Sequence, residues 1–529
     1  MKKYISLLLV LVMLLSLMVG CGNQNNDPVQ SNDSAQSATP NTPDTGNTGN
    51  NTENPPPAST TRTDLNMATS ESMDGCDPHF NTKTANGTAI GLIYEGLVST
   101  DKKLNVTPNL AESYEILEGG LVYEYKLKQG VKFHNGDEMK ASDVVFSITR
   151  AQGSPTMYSI VGLIAGVEAV DEYTVRMTLV MPYAPFYHLI AKVPIVSERA
   201  CTEAGDDFAT KPCGTGAYTI GEWTAEKVTF VLNENYHGEL PKIETINIAT
   251  VSDSTTSLMA FEGGDLDYVG VPKADWDRIV SSGKYGTVQV SSSNTTYITF
   301  NTEVAPFDDV RVRQAIAYAI NKDELVLGAL EGFGTVAHTL GNPEFTLGLP
   351  SADEITTYEQ NAEKAKQLLA DAGYADGLDI GNMTVMAMFS VPAEIIKSQL
   401  AAVGINVEIQ LAEQSAFVAD LVSGNYGIGI MGVTLGTDMA EHEMAYSSAG
   451  VNQLNLSRYS DARVDELFGL AMVEPDQAKR NEYYKEAVNI FAESAAYIPL
   501  YYADSCIAMD PALVMDINES VYTWYWAAE

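Results

Sequence analysis

Basic residues are scarce in this chain: its 529 residues hold 31 Lys and Arg against 69 Asp and Glu, a net charge of −38. Such a surplus repels phosphate backbones and anionic headgroups, so no nucleic-acid partner is expected. Histidine is scarcer still. The six are His79, His134, His188, His237, His338 and His442, and no two stand at a metal-ligand spacing. His442-Glu443-Met444-Ala445-Tyr446 comes nearest to a zinc helix, but its fifth position is Tyr and the second imidazole is missing. No metal site is expected. The chain has no G-x-S-x-G elbow, no P-loop and no EF-hand loop. Residues 427–432 spell G-x-G-x-x-G, yet they read as strand with no helix opening through them, which is the wrong context for a dinucleotide. An enzyme reading therefore lacks a constellation, and no cofactor is expected.

Long apolar runs are absent except at the start. Lys2 and Lys3 precede residues 5–19, apolar but for Ser6 and Ser16, and Gly20-Cys21 follows. The run is shorter than a spanning helix and lacks a stop-transfer pattern, so it reads as a signal peptide over 1–20. A small residue directly before a cysteine is similar to the lipobox of bacterial lipoproteins, with Met18 where that pattern prefers Leu. The resemblance implies lipidation of Cys21. Residues 22–61 contain no aromatic residue and little that is apolar, so they cannot bury enough surface to offset ordering entropy. A coil of that length reaches roughly 35 Å and would act as a leash over 21–61. All but two of the net negative charges lie beyond residue 61, on the folded body.

Cysteine is also rare. Beyond Cys21 only Cys76, Cys201, Cys213 and Cys506 remain, and neither spacing is a metal pattern. In an exported chain an even count allows three pairings. Cys201 with Cys213, close in sequence and flanked by turn residues, is the favoured bridge, which would leave Cys76 to join Cys506; four reduced thiols are the alternative.

Hydrophobic residues make up 45% of the chain, about three domains' worth of core. Residues 63–70 read as a strand. Leu121, Tyr123, Tyr125 and Leu127 alternate with polar neighbours, and Val131 and Phe133 continue the period of two. Asn135-Gly136-Asp137 is a turn, after which Ser142 is placed to cap a helix carrying Val144, Val145 and Ile148. Val312, Ala315, Ile316, Ala319 and Ile320 form a helical stripe behind Asp308 and Asp309. Helices are expected over 361–373, from Pro392, over 461–472 and 477–494, and strands over 405–411 and 497–502. Strands separated by helices of this length predict a mainly parallel α/β sheet.

The stretches Pro108-Asn109-Leu110-Ala111-Glu112-Ser113-Tyr114, 121–137 and 141–147 resemble the signature of the family 5 solute-binding proteins of ABC transporters, the oligopeptide, dipeptide and nickel receptors. Further matches are Gly214-Thr215-Gly216-Ala217-Tyr218, Phe300-Asn301-Thr302, 307–315 and Tyr497-Ile498-Pro499-Leu500-Tyr501, in order over about 64–510. The resemblance implies an α/β fold of the periplasmic-binding-protein-like type II: a two-lobed clamshell with an extra subdomain inserted in the first lobe. Lobe I would comprise 62–80, 210–296 and 495–529, the insert 81–209 and lobe II 297–494, with hinge crossings near 298–301 and 495–499. It further implies a monomeric, extracytoplasmic, non-enzymatic receptor that hands short peptides to the permease subunits of an ABC importer. The alternatives are a non-peptide solute (metal chelate, opine or oligosaccharide), a peptide sensor, or, from another class, an exported hydrolase.

Peptide receptors of this family usually carry Gly-Trp and then an Asp for the ligand's amino group. Here Trp becomes Val433 and that Asp falls on Gly436, with Asp438 the nearest substitute. The ligand-binding residues implied are thus Ser70, Glu71, Ser72, Gly432, Val433, Thr434 and Asp438, with Tyr501 and Tyr502 as aromatics at the cleft. Backbone pairing to extended segments needs no particular side chain.

Overall fold

The computed structural model describes residues 62–515 and 524–527. The signal peptide over 1–20, Cys21 and the leash over 21–61 lie outside the described residues. Among those described, no helix is long and apolar enough to cross a membrane.

Three large sheets build the described part of the molecule, beside two two-stranded ribbons. The first has four strands in the order Asp64–Thr69, Thr245–Thr250, Lys227–Leu232 and Tyr218–Trp223; its first pair is parallel and the others antiparallel. The insert carries an antiparallel sheet of Ala111–Leu117, Val122–Leu127, Thr174–Leu179 and Ile164–Asp171. Tyr123, Tyr125 and Leu127 of its second strand are buried, as the period of two predicts. A continuous core from Leu65 to Ile248 joins this sheet to the first.

The third sheet forms the second lobe and reaches back into the first. Tyr268–Gly270, Tyr497–Met509, Gly286–Phe300, Ile428–Thr434, Leu378–Val385 and Ile405–Leu411 lie side by side in that order. Its apolar cluster runs from Tyr297 to Tyr501. The two long strands cross between lobes together. Their pairing breaks register between Ser291 and Thr295, opposite Tyr502 and Asp504.

The expectation of a mainly parallel sheet is corrected: only the pairs on either side of Leu378–Val385 are parallel in this sheet. The cause is the return of the C-terminal strand antiparallel to Gly286–Phe300, and that of Ile428–Thr434 on its other side. The helices stand close to expectation: Val310–Ala319, capped by Asp309; Ala362–Asp371, capped by Asn361; Ser390–Ala401; Ala462–Val473, capped by Asp461; and Gln477–Glu493. Ser142 does not cap its helix, which spans Ala141–Ala151; Asp143 closes that end instead, accepting from the Lys140 amide at 3.0 Å.

Two of the motif segments dock on each other. The His134 amide donates to Gly214 O and its Nε2 lies 2.9 Å from Gly216 O. Gly214 and Gly216 are required there because a Cβ would stand 2.1 Å from Ile93 O and 2.5 Å from Leu92 O. Neither expected disulfide forms: Cys76, Cys201, Cys213 and Cys506 are all free and buried. Cys506 belongs to a separate small cluster with Leu258 and Ile279, away from the core that holds Cys76. Cys201 faces Arg150 from the helix Glu198–Ala204, whereas Cys213 faces the turn at His134 and Asn135.

Candidate functional site

The long strand Gly286–Phe300 brings five of the expected residues into adjacent rows. Thr295 pairs with Val433 on one side and Tyr502 on the other, and Thr296 likewise joins Gly432 and Tyr501. Asn294 pairs with Thr434 and donates from Nδ2 to its hydroxyl at 3.1 Å. Gly432 suits this edge because a Cβ would come within 3.0 Å of the Asn294 amide. The tyrosines face inward. The Tyr502 hydroxyl lies 2.9 Å from Gly341 O, pinning the loop after Val336 to the crossing strand, and Tyr501 belongs to the second lobe's core. Ser70, Glu71 and Ser72 are exposed at the end of Asp64–Thr69, in the first lobe, and no hydrogen bond joins them to the 432–438 segment among the described contacts.

Beyond Thr434 the chain turns into the short helix Met439–His442, capped by Asp438, whose Oδ1 accepts from the Ala440 amide at 2.8 Å. Asp438 is 1% exposed, and its Oδ2 has no hydrogen-bond partner. Burial raises its pKa to about 6, against the pull of the Ala440 amide and the nearby cations Arg480 and Lys192. His442 is fully buried with Nε2 2.8 Å from Gly436 O, and desolvation lowers its pKa to about 4.

Glu441 is the residue that the motif comparison did not point to. A Cβ built on Gly436 would stand 2.2 Å from its carboxyl carbon and 2.3 Å from its Oε1, so this carboxylate occupies the space into which a side chain at 436 would project. It is bound in turn from the insert: Lys192 Nζ donates to Oε1 at 2.6 Å and to Oε2 at 2.7 Å. Both side chains are partly exposed, at 35% for Lys192 and 22% for Glu441.

The pair belongs to a wider contact between insert and second lobe. Arg480, fully buried, donates from Nη1 to Glu474 O at 2.9 Å and from Nη2 to the Tyr187 hydroxyl at 3.1 Å, with Gln477 Oε1 a further acceptor. The Ala184 amide donates to Met472 O at 2.6 Å, and Ala440 packs into the first lobe's core. His188 is 1% exposed with both ring nitrogens unpartnered; burial, then Lys192, brings its pKa down to about 4. The Tyr484 hydroxyl and Arg480 Nε are likewise without a partner. Among the described residues no group of His, Cys, Asp and Glu could hold a metal ion. The arrangement offers a half-buried carboxylate, two cations and several uncommitted polar atoms between two bodies joined by paired strands.

Residues 105–453 match the family model for bacterial extracellular solute-binding proteins, family 5. The oligopeptide-binding protein AppA of Bacillus subtilis is 28% identical over 462 residues, 81% of this chain and 84% of that protein. Heme-binding protein A of Haemophilus influenzae is 29% identical over 457 residues, 79% of this chain and 83% of its own length. Among solved structures, HbpA2 of Haemophilus parasuis superposes with a TM-score of 0.80 at 25% identity, over 88% of this chain and 99% of that one.

Proposed function

This chain belongs to family 5 of the bacterial extracellular solute-binding proteins, the solute-capturing components of ABC importers, and we propose that its solute is a short peptide. The observation that carries the reading is the Glu441 carboxylate, which fills the place of a side chain at 436 and pairs with an ammonium, that of Lys192, as it would with a peptide's. Residues 432–434 would pair with an extended peptide backbone, and Ser70, Glu71 and Ser72 would approach it from the first lobe. The name of the B. subtilis relative, an oligopeptide-binding protein, supports the same class.

In this reading the lobes hinge at the register break between Ser291 and Thr295, where two backbones can rotate without unpairing the strands on either side. A solute that touches both lobes stabilises the arrangement in which they meet, by its differential affinity for that form. The hinge so placed lies before the crossing expected near 298–301 and beyond the one near 495–499, because residues 297–300 and 496–501 pack in the second lobe's cluster; the remaining division into lobe I, insert and lobe II is part of the proposal. A monomer held outside the membrane by lipid on Cys21 completes the proposal. Mass spectrometry of the ligand released from purified, denatured protein is the test. Peptides are expected; a porphyrin, metal chelate, opine or sugar overturns the peptide reading.

A further inference from the structure

Glu441 already holds an ammonium. Lys192 reaches across from the insert and donates to both of its oxygens, so an incoming cationic group finds the carboxylate occupied. Displacing Lys192 frees a partly buried ammonium close to another cation: His188 senses Lys192 and Arg480 together, and Arg480 has its donors committed to Glu474, Pro475, Gln477 and Tyr187 apart from Nε. A purely cationic ligand therefore takes Glu441 and leaves Lys192 without its carboxylate partner, in a contact that also holds Arg480 and the buried Asp438. A ligand that brings a carboxylate beside its ammonium gives Lys192 a new partner as it takes Glu441, and the exchange leaves both residues paired.

We propose that Lys192 is a resident cation on Glu441 and that the two residues together sort solutes by charge, admitting those that present an ammonium beside a carboxylate and disfavouring those with an ammonium alone. The inference rests on the peptide reading for its ligand class: a peptide whose first residue is acidic carries both charges at one end. It also has a consequence without any ligand. Lys192 and Glu441 stand on different lobes, so their pairing draws the lobes together and its removal shifts the ligand-free protein toward a more open form.

Both parts are tested on the full chain with Lys192→Met and Glu441→Gln, substitutions at partly exposed positions. Isothermal titration with Glu-Ala-Ala, Ala-Ala-Ala and N-acetyl-Glu-Ala-Ala reads the sorting. The wild type is expected to prefer Glu-Ala-Ala over Ala-Ala-Ala by about tenfold, the effect of one added charged pair. Lys192→Met should erase that preference, and Glu441→Gln should erase the preference for a free amine over the acetylated peptide. Unchanged preferences in the variants overturn the charge filter. Small-angle scattering of the ligand-free proteins reads the lobes: both variants should show a larger radius of gyration than the wild type, and equal radii overturn the resident-cation contact. If the wild type binds none of the three peptides while the radii shift as expected, the peptide reading fails and the contact stands.

Discussion

Asp438→Asn isolates the cost of a buried charge where the lobes meet. Asp438 is 1% exposed, and burial lifts its pKa from 3.8 to about 6 despite Arg480 and Lys192 nearby. Its folded pKa lies above its unfolded value, so between these limits the native state takes up a proton that the unfolded chain lacks. The penalty is therefore largest above pH 6 and fades as pH falls through about 6 toward 3.8. At pH 7 such a rise corresponds to about 3 kcal/mol of lost stability. Asparagine keeps the oxygen that caps Met439–His442 and is as good a cap as aspartate. Its amide brings a donor to the unpartnered side, where the Tyr484 hydroxyl is an electrostatic neighbour and has no partner of its own. The variant should thus be more stable than the wild type by up to about 3 kcal/mol at pH 7, with the difference shrinking to near zero at pH 4. Urea titrations of both proteins at pH 4, 5, 6 and 7 measure it. A difference that does not vary with pH, or a variant destabilised equally throughout, would refute a carboxylate strained by desolvation.

His188 should act in the opposite sense. Its pKa falls from 6.5 to about 4 in the fold, so the unfolded chain binds the extra proton and stability is lost as pH drops between those values. His188→Phe should remove about 3 kcal/mol of that acid sensitivity between pH 7 and pH 4, read from the same titrations; an unaltered slope would show that the ring is not held neutral. Cys21→Ser should leave the folded body's melting curve unchanged and release the protein from the membrane into the medium, as fractionation and blotting would report; retention in the membrane fraction would exclude the lipid tether.

Much of the scaffold was legible because it follows from local rules. The strand Val122–Leu127 alternates, and the helices that begin at Val310, Ala362, Ala462 and Gln477 follow Asp or Asn caps visible in the sequence. Strand direction was not legible, since a period of two fixes which side chains face inward but says nothing about the neighbour's orientation. That is why a mainly parallel sheet was expected where Tyr497–Met509 and Ile428–Thr434 in fact flank Gly286–Phe300 antiparallel. The site was legible in part. The segment 432–438 was found by motif, but the motif directs attention to Gly436 and Asp438, whereas the carboxylate in that space is Glu441. Its partner Lys192 lies 249 residues away, in the insert, and nothing local to either residue marks the pair. The cysteines fail for a related reason: closeness in sequence between Cys201 and Cys213 does not place their thiols in one pocket.

The polar atoms left unpaired where insert and second lobe meet fit a contact that must open as readily as it forms. Asp438 Oδ2, the Tyr484 hydroxyl, Arg480 Nε and both nitrogens of His188 are buried there without partners. Each such atom costs about 1–3 kcal/mol relative to the same group in water, and that cost is recovered when the lobes part. Against it stand the Lys192–Glu441 pair, the Arg480–Tyr187 hydrogen bond, the Ala184–Met472 hydrogen bond and the burial of Ala440. A fully satisfied, apolar contact would hold the lobes together whether or not a solute were present, and the equilibrium could then report nothing. On the proposed reading, a contact built this way would leave a solute's own hydrogen bonds and charges to decide between the two forms. Filling that contact with apolar side chains would therefore be expected to raise stability and weaken the dependence of lobe closure on solute, the two effects arising from the same atoms.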